Sequence, residues 1–206
     1  MQQKTTQDWP YLKKYEKENQ SIHSPISEEN RVVFMGDSIT EFWGRLMPEF
    51  FEGKSYINRG ISGQTTPQML VRFRADVIAL QPKTVVILAG ANDIAGNTGP
   101  ATLEMITNNL FSMMELAQIH NIKVILCSVL PANMFPWKIR ENPSQKIIAL
   151  NQMLHHYTKE NNIQYLDYYS AMVDENDGMI TTYTEDGVHP NRKGYEVMAQ
   201  MFNLYR

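Results

Sequence analysis

Val32-Val33-Phe34-Met35-Gly36-Asp37-Ser38-Ile39-Thr40 passes from an unbroken apolar run into a turn of small and polar residues. Four consecutive apolar side chains on a β-strand point to both faces of a sheet, so the run predicts a strand that needs cover on each side. A residue that ends such a strand and opens a helix lies at the carboxyl edge of the sheet with its N–H pointing outward. Ser38 therefore stands where it can attack a bound molecule. The same hydroxyl would also suit the cap of the following helix.

Further short apolar runs follow at Tyr56-Ile57, Val85-Val86-Ile87-Leu88, Val124-Ile125-Leu126 and Ile163-Gln164-Tyr165-Leu166. Stretches of helical period separate and follow them: Met69 to Leu80, Leu103 to Ile119, Lys146 to Lys159 and Lys193 to Leu204. This alternation predicts parallel strands joined by right-handed crossovers, an α/β fold in which a three-layer α/β/α sandwich buries both faces of one sheet. Trp9, Leu12 and Tyr15 recur at helical spacing over residues 9 to 19, which predicts a short amphipathic helix. Residues 1 to 30 are then an N-terminal helical extension packed on a single domain spanning 1 to 206, a length that one core can fill.

The 43% hydrophobic and 20% charged residues are those of an ordinary globular chain. A formal net charge of -3, with no Lys/Arg stripe, argues against nucleic acid as a partner. Cys127 is the single cysteine and sits in the apolar run Val124 to Val129, so it reads as a small core residue and no disulfide can form within the chain. The start, Met1 to Gln7, lacks the apolar centre of a signal peptide, and no 18 apolar residues run together. The chain as it stands is expected to be soluble and without a transmembrane segment, placed in the cytoplasm or, after loss of a leader, outside it. Long irregular stretches run from Leu130 to Pro143 and from Val173 to Pro190; both follow late strands and should overhang the carboxyl edge, where open α/β sheets bind ligands.

In Asp186-Gly187-Val188-His189-Pro190, a carboxylate three residues before an imidazole can fold back onto its Nδ1, leaving Nε2 free to take a proton from a serine. Acyl transfer also needs donors for a tetrahedral oxyanion. Gly63, in Asn58-Arg59-Gly60-Ile61-Ser62-Gly63-Gln64-Thr65, can bring an unobstructed backbone N–H to a ligand, and Asn92, in Ala89-Gly90-Ala91-Asn92-Asp93, brings an amide to the same edge.

These four blocks, in this order, make the chain resemble the SGNH or GDSL-type hydrolase superfamily over residues 31 to 206. Ser38 matches the nucleophile, Gly63 and Asn92 the glycine and asparagine blocks, and Asp186 and His189 the last block. Gly36-Asp37-Ser38-Ile39-Thr40 and Gly90-Ala91-Asn92-Asp93 are similar to the branch of platelet-activating-factor acetylhydrolase subunits and bacterial acylhydrolases. The resemblance implies a flavodoxin-like sheet of five parallel strands in the order 2-1-3-4-5, opening Ser38 and Asn92 into one crevice at its switch point. It further implies a serine esterase acting on small, short-acyl esters without cofactor or metal. His189 removes the Ser38 proton, Asp186 steadies the ring, and the Ser38 and Gly63 N–H groups with the Asn92 amide bind the oxyanion. Asp37 and Asp93 would orient the site rather than react.

Three other readings remain open. Gly60-Ile61-Ser62-Gly63 nearly forms a Gly-x-Ser-x-Gly elbow with Ser62 as nucleophile, but the fifth residue is Gln64. Asp186, His189 and Asp93 could instead hold a hydrolytic metal, although His23, His120, His155 and His156 offer no second ligand at useful spacing. The fold could also serve as a non-catalytic binding module for acylated ligands. The alcohol half could belong to a sugar, a lysolipid or another small alcohol, and a long-chain lysophospholipase or thioesterase would use the same site. Trp43, Phe135 and Trp137 are expected to wall off a short acyl pocket.

Overall fold

The computed structural model describes residues 8 to 26, 29 to 138 and 141 to 205. The opening Met1 to Gln7, on which the reading of the chain's start rests, lies outside them, as do residues 139 and 140 of the Leu130 to Pro143 stretch.

Five strands form one all-parallel sheet: β1 (Val32–Gly36), β2 (Tyr56–Gly60), β3 (Thr84–Leu88), β4 (Lys123–Cys127) and β5 (Gln164–Leu166), in the order β2-β1-β3-β4-β5. β1 pairs with both β2 and β3, Gly36 lying opposite Gly60 on one side and Leu88 on the other. The expected order is present, and Ser38 leaves the sheet at the switch point between β1 and β3.

Alternation along each strand divides the core in two. Val33, Met35, Val85, Ile87 and Leu126 face one layer, with α3 (Thr66–Asp76), α5 (Leu103–Ile119) and α6 (Ser144–Glu160) supplying Phe73, Leu110, Met113 and Leu150. Phe34, Val86, Ile125 and Leu166 face the other, against Trp43 of α2 (Ser38–Leu46) and Tyr195 and Phe202 of α8 (Arg192–Leu204). Three layers result. Gly60 lets α2 lie directly on β2: a Cβ there would stand 2.1 Å from the Glu41 backbone nitrogen, a distance no backbone shift accommodates cheaply. Among the described residues no helix is long and apolar enough to cross a membrane.

Several boundaries differ from expectation. The helix expected over residues 9 to 19 begins only at α1 (Glu16–Ser21). Pro10 supplies no N–H, Tyr11 adopts φ +57°, and the Asp8 carboxylate accepts the Leu12 and Lys13 N–H groups, so the preceding segment is a series of turns. The Met69 to Leu80 stretch starts earlier, at Thr66, because Thr65 and Gln68 form a reciprocal capping box. It ends at Asp76 and continues as a 3₁₀ turn, Ile78–Leu80, since Pro82 cannot extend a helix.

Trp43 is a correction. Its expected place is the acyl pocket, yet it is buried in the α2/α8 layer, stacked on Phe50 at 4.4 Å and on Tyr195 at 5.7 Å between ring centroids. Five residues at about 100° each carry it roughly 140° round the helix from Ser38, away from the carboxyl edge. Phe135 is likewise buried, within the α3/α5/α6 layer.

Candidate active site

Ser38 is the first residue of α2, held by the Asp37 cap whose carboxylate Oδ1 accepts the Ile39 N–H at 3.0 Å. Its hydroxyl oxygen lies 2.9 Å from Nε2 of His189, a residue 151 positions later in the chain. On the far side of the ring, Nδ1 stands 2.6 Å from Asp186 Oδ2. The turn that makes this contact depends on Gly187 at φ +82°. It is locked by Asp186 Oδ1, which accepts the backbone N–H groups of His189 and Val188 at 2.8 and 2.9 Å. The Thr184 hydroxyl donates to the His189 carbonyl at 2.8 Å and fixes the other end of the turn. Burial alone would raise the Asp186 pKa, but the hydrogen bonds from the His189 side chain and backbone outweigh it and hold the carboxylate below its usual range.

Gly63 adopts φ +78°, a conformation that costs an L-residue strain, and a Cβ there would meet nothing within 4 Å. Its N–H and that of Ser38 make no hydrogen bond among the described residues. The Ser38 N–H lies at the start of a nine-residue helix, where the backbone dipole favours negative charge.

The Asn92 amide nitrogen donates to Asp37 Oδ2 at 3.2 Å and to the Gln64 carbonyl at 3.1 Å, and its oxygen accepts from Asn97 at 2.8 Å. Asn92 is thus held on the β1 and β2 loops, opening into the same edge as Ser38. Both aspartates that precede or follow these blocks point inward. Burial pushes Asp37 up to about 6, against the lowering effect of the Ile39 N–H. Asp93 is also raised by burial, to about 6, while accepting the Thr66 N–H and hydroxyl.

Asp93 therefore anchors α3 and is not brought to His189. Ser62 is turned elsewhere too, its hydroxyl and N–H both donating to Glu41 Oε2. Among the described residues no three His, Cys, Asp or Glu side chains group as metal ligands. Cys127 is fully buried, its thiol driven up by desolvation.

Of the three aromatics expected at the pocket, Trp137 alone approaches the imidazole, its ring centroid 6.1 Å from that of His189 and its side chain half exposed. Phe135 backs it from the core at 5.3 Å, with the planes nearly parallel. Phe42, which belongs to none of the motif blocks, lies 5.3 Å from the His189 ring. Its spacing of four from Ser38 carries the signal, since positions i and i+4 share a helix face. Asn97 and Thr184 are further additions that sequence reasoning misses, because neither occupies a recognisable motif. Beneath the site the guanidinium of Arg72 donates to the carbonyls of Gly36 and Arg59 and to Asp76, tying together the ends of β1 and β2.

The sequence model described as "GDSL-like Lipase/Acylhydrolase family" matches residues 34 to 197. A protein of Bacteroides fragilis, assigned as an acylhydrolase, is 47% identical in sequence with a TM-score of 0.95, the match covering 97% of each chain. A GDSL-like lipase of Bacteroides thetaiotaomicron is also 47% identical, with a TM-score of 0.94 over 96% of this chain and 98% of that one. An acetylxylan esterase of Xylanibacter ruminicola is 26% identical over 88% of this chain, which spans 44% of that protein's length.

Proposed function

This chain belongs to the GDSL-like lipase/acylhydrolase family, and on that premise we propose that it is a serine carboxylic ester hydrolase that removes short acyl groups, acetyl above all, from small alcohols. The observation that carries this reading is the continuous hydrogen-bonded row from Ser38 Oγ through His189 to Asp186, set at the sheet's switch point with two backbone N–H groups that make no hydrogen bond among the described residues.

His189 Nε2 takes the hydroxyl proton as Ser38 Oγ attacks the ester carbonyl, and the Asp186 carboxylate stabilises the imidazolium that forms. Charge developing on the carbonyl oxygen is met by the Ser38 and Gly63 N–H groups. The Asn92 amide joins them by exchanging one of its bonds, at 3.2 Å to Asp37 or 3.1 Å to the Gln64 carbonyl, for the charged oxyanion, a stronger acceptor than a carbonyl. His189 then protonates the departing alkoxide. Water, deprotonated by the same nitrogen, attacks the Ser38 ester and releases the carboxylic acid. The rings of Phe42 and Trp137 crowd the imidazole and favour a short acyl group.

The test compares p-nitrophenyl acetate turnover by the parent chain, Ser38→Ala and Ser62→Ala. Loss in Ser38→Ala alone, with a stoichiometric acyl-enzyme burst in the parent, is the expected result. Loss in Ser62→Ala alone moves the nucleophile to the elbow-like serine, and no turnover by the parent with any acyl group favours a binding module.

A further inference from the structure

A concavity of about 740 Å³ opens beside Gly63, and beyond Gly63 the reaction steps above leave its aromatic lining unused. Its floor is Ser62, Gly63, Asn97 and Thr98 from the β2 and β3 loops, and its outer wall is Trp9 and Tyr11 from the segment before α1. We propose that this concavity is a carbohydrate subsite, in which the Trp9 and Tyr11 rings pack on a sugar that is the alcohol half of the ester. The proposal rests on the esterase reading for its chemistry and names the substrate class of that same site.

Three observations converge on it. First, the rings are available. Trp9 is 44% and Tyr11 53% exposed, and neither makes a ring contact among the described residues. Large aromatics left half in water at the rim of a concavity have apolar faces to offer, and sugar C–H faces are a matching surface.

Second, the backbone that carries the rings is held in place. The Trp9 carbonyl accepts from Gln68 Nε2 at 2.7 Å and the Pro10 carbonyl from Gln64 Nε2 at 2.8 Å. Both glutamines are buried, Gln64 carries the carbonyl that Asn92 meets, and Gln68 caps α3. The Tyr15 hydroxyl donates to the Gly60 carbonyl, and Lys14 pairs with Glu41. Tyr11 stands at φ +57°, a left-handed conformation that costs a bulky residue strain and persists only when its surroundings impose it.

Third, the floor is polar and joined to the reaction centre. Asn97 Nδ2 donates to both Asn92 Oδ1 and the Gly63 carbonyl, so the wall of the concavity touches the residues assigned to the oxyanion. The exposed Asn97 and Thr98 side chains suit hydroxyl groups, the Thr98 hydroxyl lying 2.9 Å from that of Thr65, while the Ser62 hydroxyl, which donates to Glu41 Oε2, can accept. An acyl chain laid across them would strip water from polar groups without replacing their hydrogen bonds. A sugar satisfies ring faces and polar floor together.

The experiment measures kcat/KM for a monoacetylated xylobiose and for p-nitrophenyl acetate in the parent chain, Trp9→Ala, Trp9→Phe and Tyr11→Ala. The ratio of the sugar ester to the aryl ester should fall about tenfold in Trp9→Ala, mostly through KM, and recover partly in Trp9→Phe, which keeps a stacking face. In parallel, free xylobiose should shift the Trp9 indole resonance of Ser38→Ala; among the three indole signals, that of Trp9 is assigned by the missing peak in Trp9→Phe. An unchanged ratio in both alanine variants, or a Trp9 signal that moves with glycerophosphocholine and not with xylobiose, overturns the subsite. If the parent hydrolyses neither ester, the esterase reading fails, and the indole titration still decides whether the concavity takes a sugar.

Discussion

Replacing Asp186 with Asn should reverse the tautomer of His189, and the direction of that reversal follows from two backbone hydrogen bonds. In the parent, Oδ1 accepts the N–H groups of Val188 and His189, and Oδ2 faces Nδ1 at 2.6 Å. An amide nitrogen cannot accept a hydrogen bond, so the oxygen of the substituted carboxamide must keep the Oδ1 position and its NH₂ must face the ring. Nδ1 then becomes the acceptor, the ring proton moves to Nε2, and it points at Ser38 Oγ, 2.9 Å away. A protonated Nε2 cannot remove the hydroxyl proton. By analogy with the same substitution in a serine protease triad, kcat should fall by about 10⁴, or roughly 5.5 kcal/mol of transition-state stabilisation. The fold should persist, because both backbone donors keep an acceptor. Steady-state turnover of p-nitrophenyl acetate measures the loss, and ¹⁵N imidazole spectra report which nitrogen carries the proton. More than a tenth of parental kcat in Asp186→Asn, or a proton still on Nδ1, would refute the orienting role of the carboxylate.

Asn92→Ala should lower kcat by roughly 10²- to 10³-fold with little change in KM, since an oxyanion donor acts in the transition state; a loss confined to KM would instead make it a binding residue. Asp37 and Asp93 are held protonated to about pH 6 by burial. The folded chain binds more protons than the unfolded one between about pH 4 and pH 6, so these groups make stability fall as pH rises through that window. The effect is at most about 2 to 3 kcal/mol per group on the linkage relation. Denaturant unfolding of Asp93→Asn should show a smaller decline between about pH 4 and pH 7 than the parent, and an identical decline would mean that Asp93 titrates normally. For acyl length, kcat/KM should drop steeply beyond about six carbons, because each methylene contributes only about 0.8 kcal/mol and only if buried. Faster hydrolysis of p-nitrophenyl esters of eight to twelve carbons than of the acetate would replace this reading with that of a lipase or long-chain thioesterase.

Strand and helix periodicity are local properties, and the apolar runs at Val32, Tyr56, Val85, Val124 and Ile163 are therefore legible as one parallel sheet covered on both faces. The blocks around Ser38, Gly63 and Asn92 are legible for a related reason: each follows the end of a strand, and topology carries such turns to one edge of the sheet, whereas the His189 block stands in the loop that leads into α8 and is legible from its Asp-x-x-His spacing. Which ring stands beside the imidazole is a different kind of question. Trp43 and Phe42 are adjacent in sequence, and helix rotation sends one into the core and the other to His189. The seat of Trp9 on Gln68 joins residues 59 positions apart, and the Asn97 amide reaches Gly63 across 34. No spacing rule encodes such contacts, because they depend on where two independently packed segments come to rest against one another. The sequence alone determined the layers and the chemical groups at their edge; only the packed chain decided which of those groups touch and which face water.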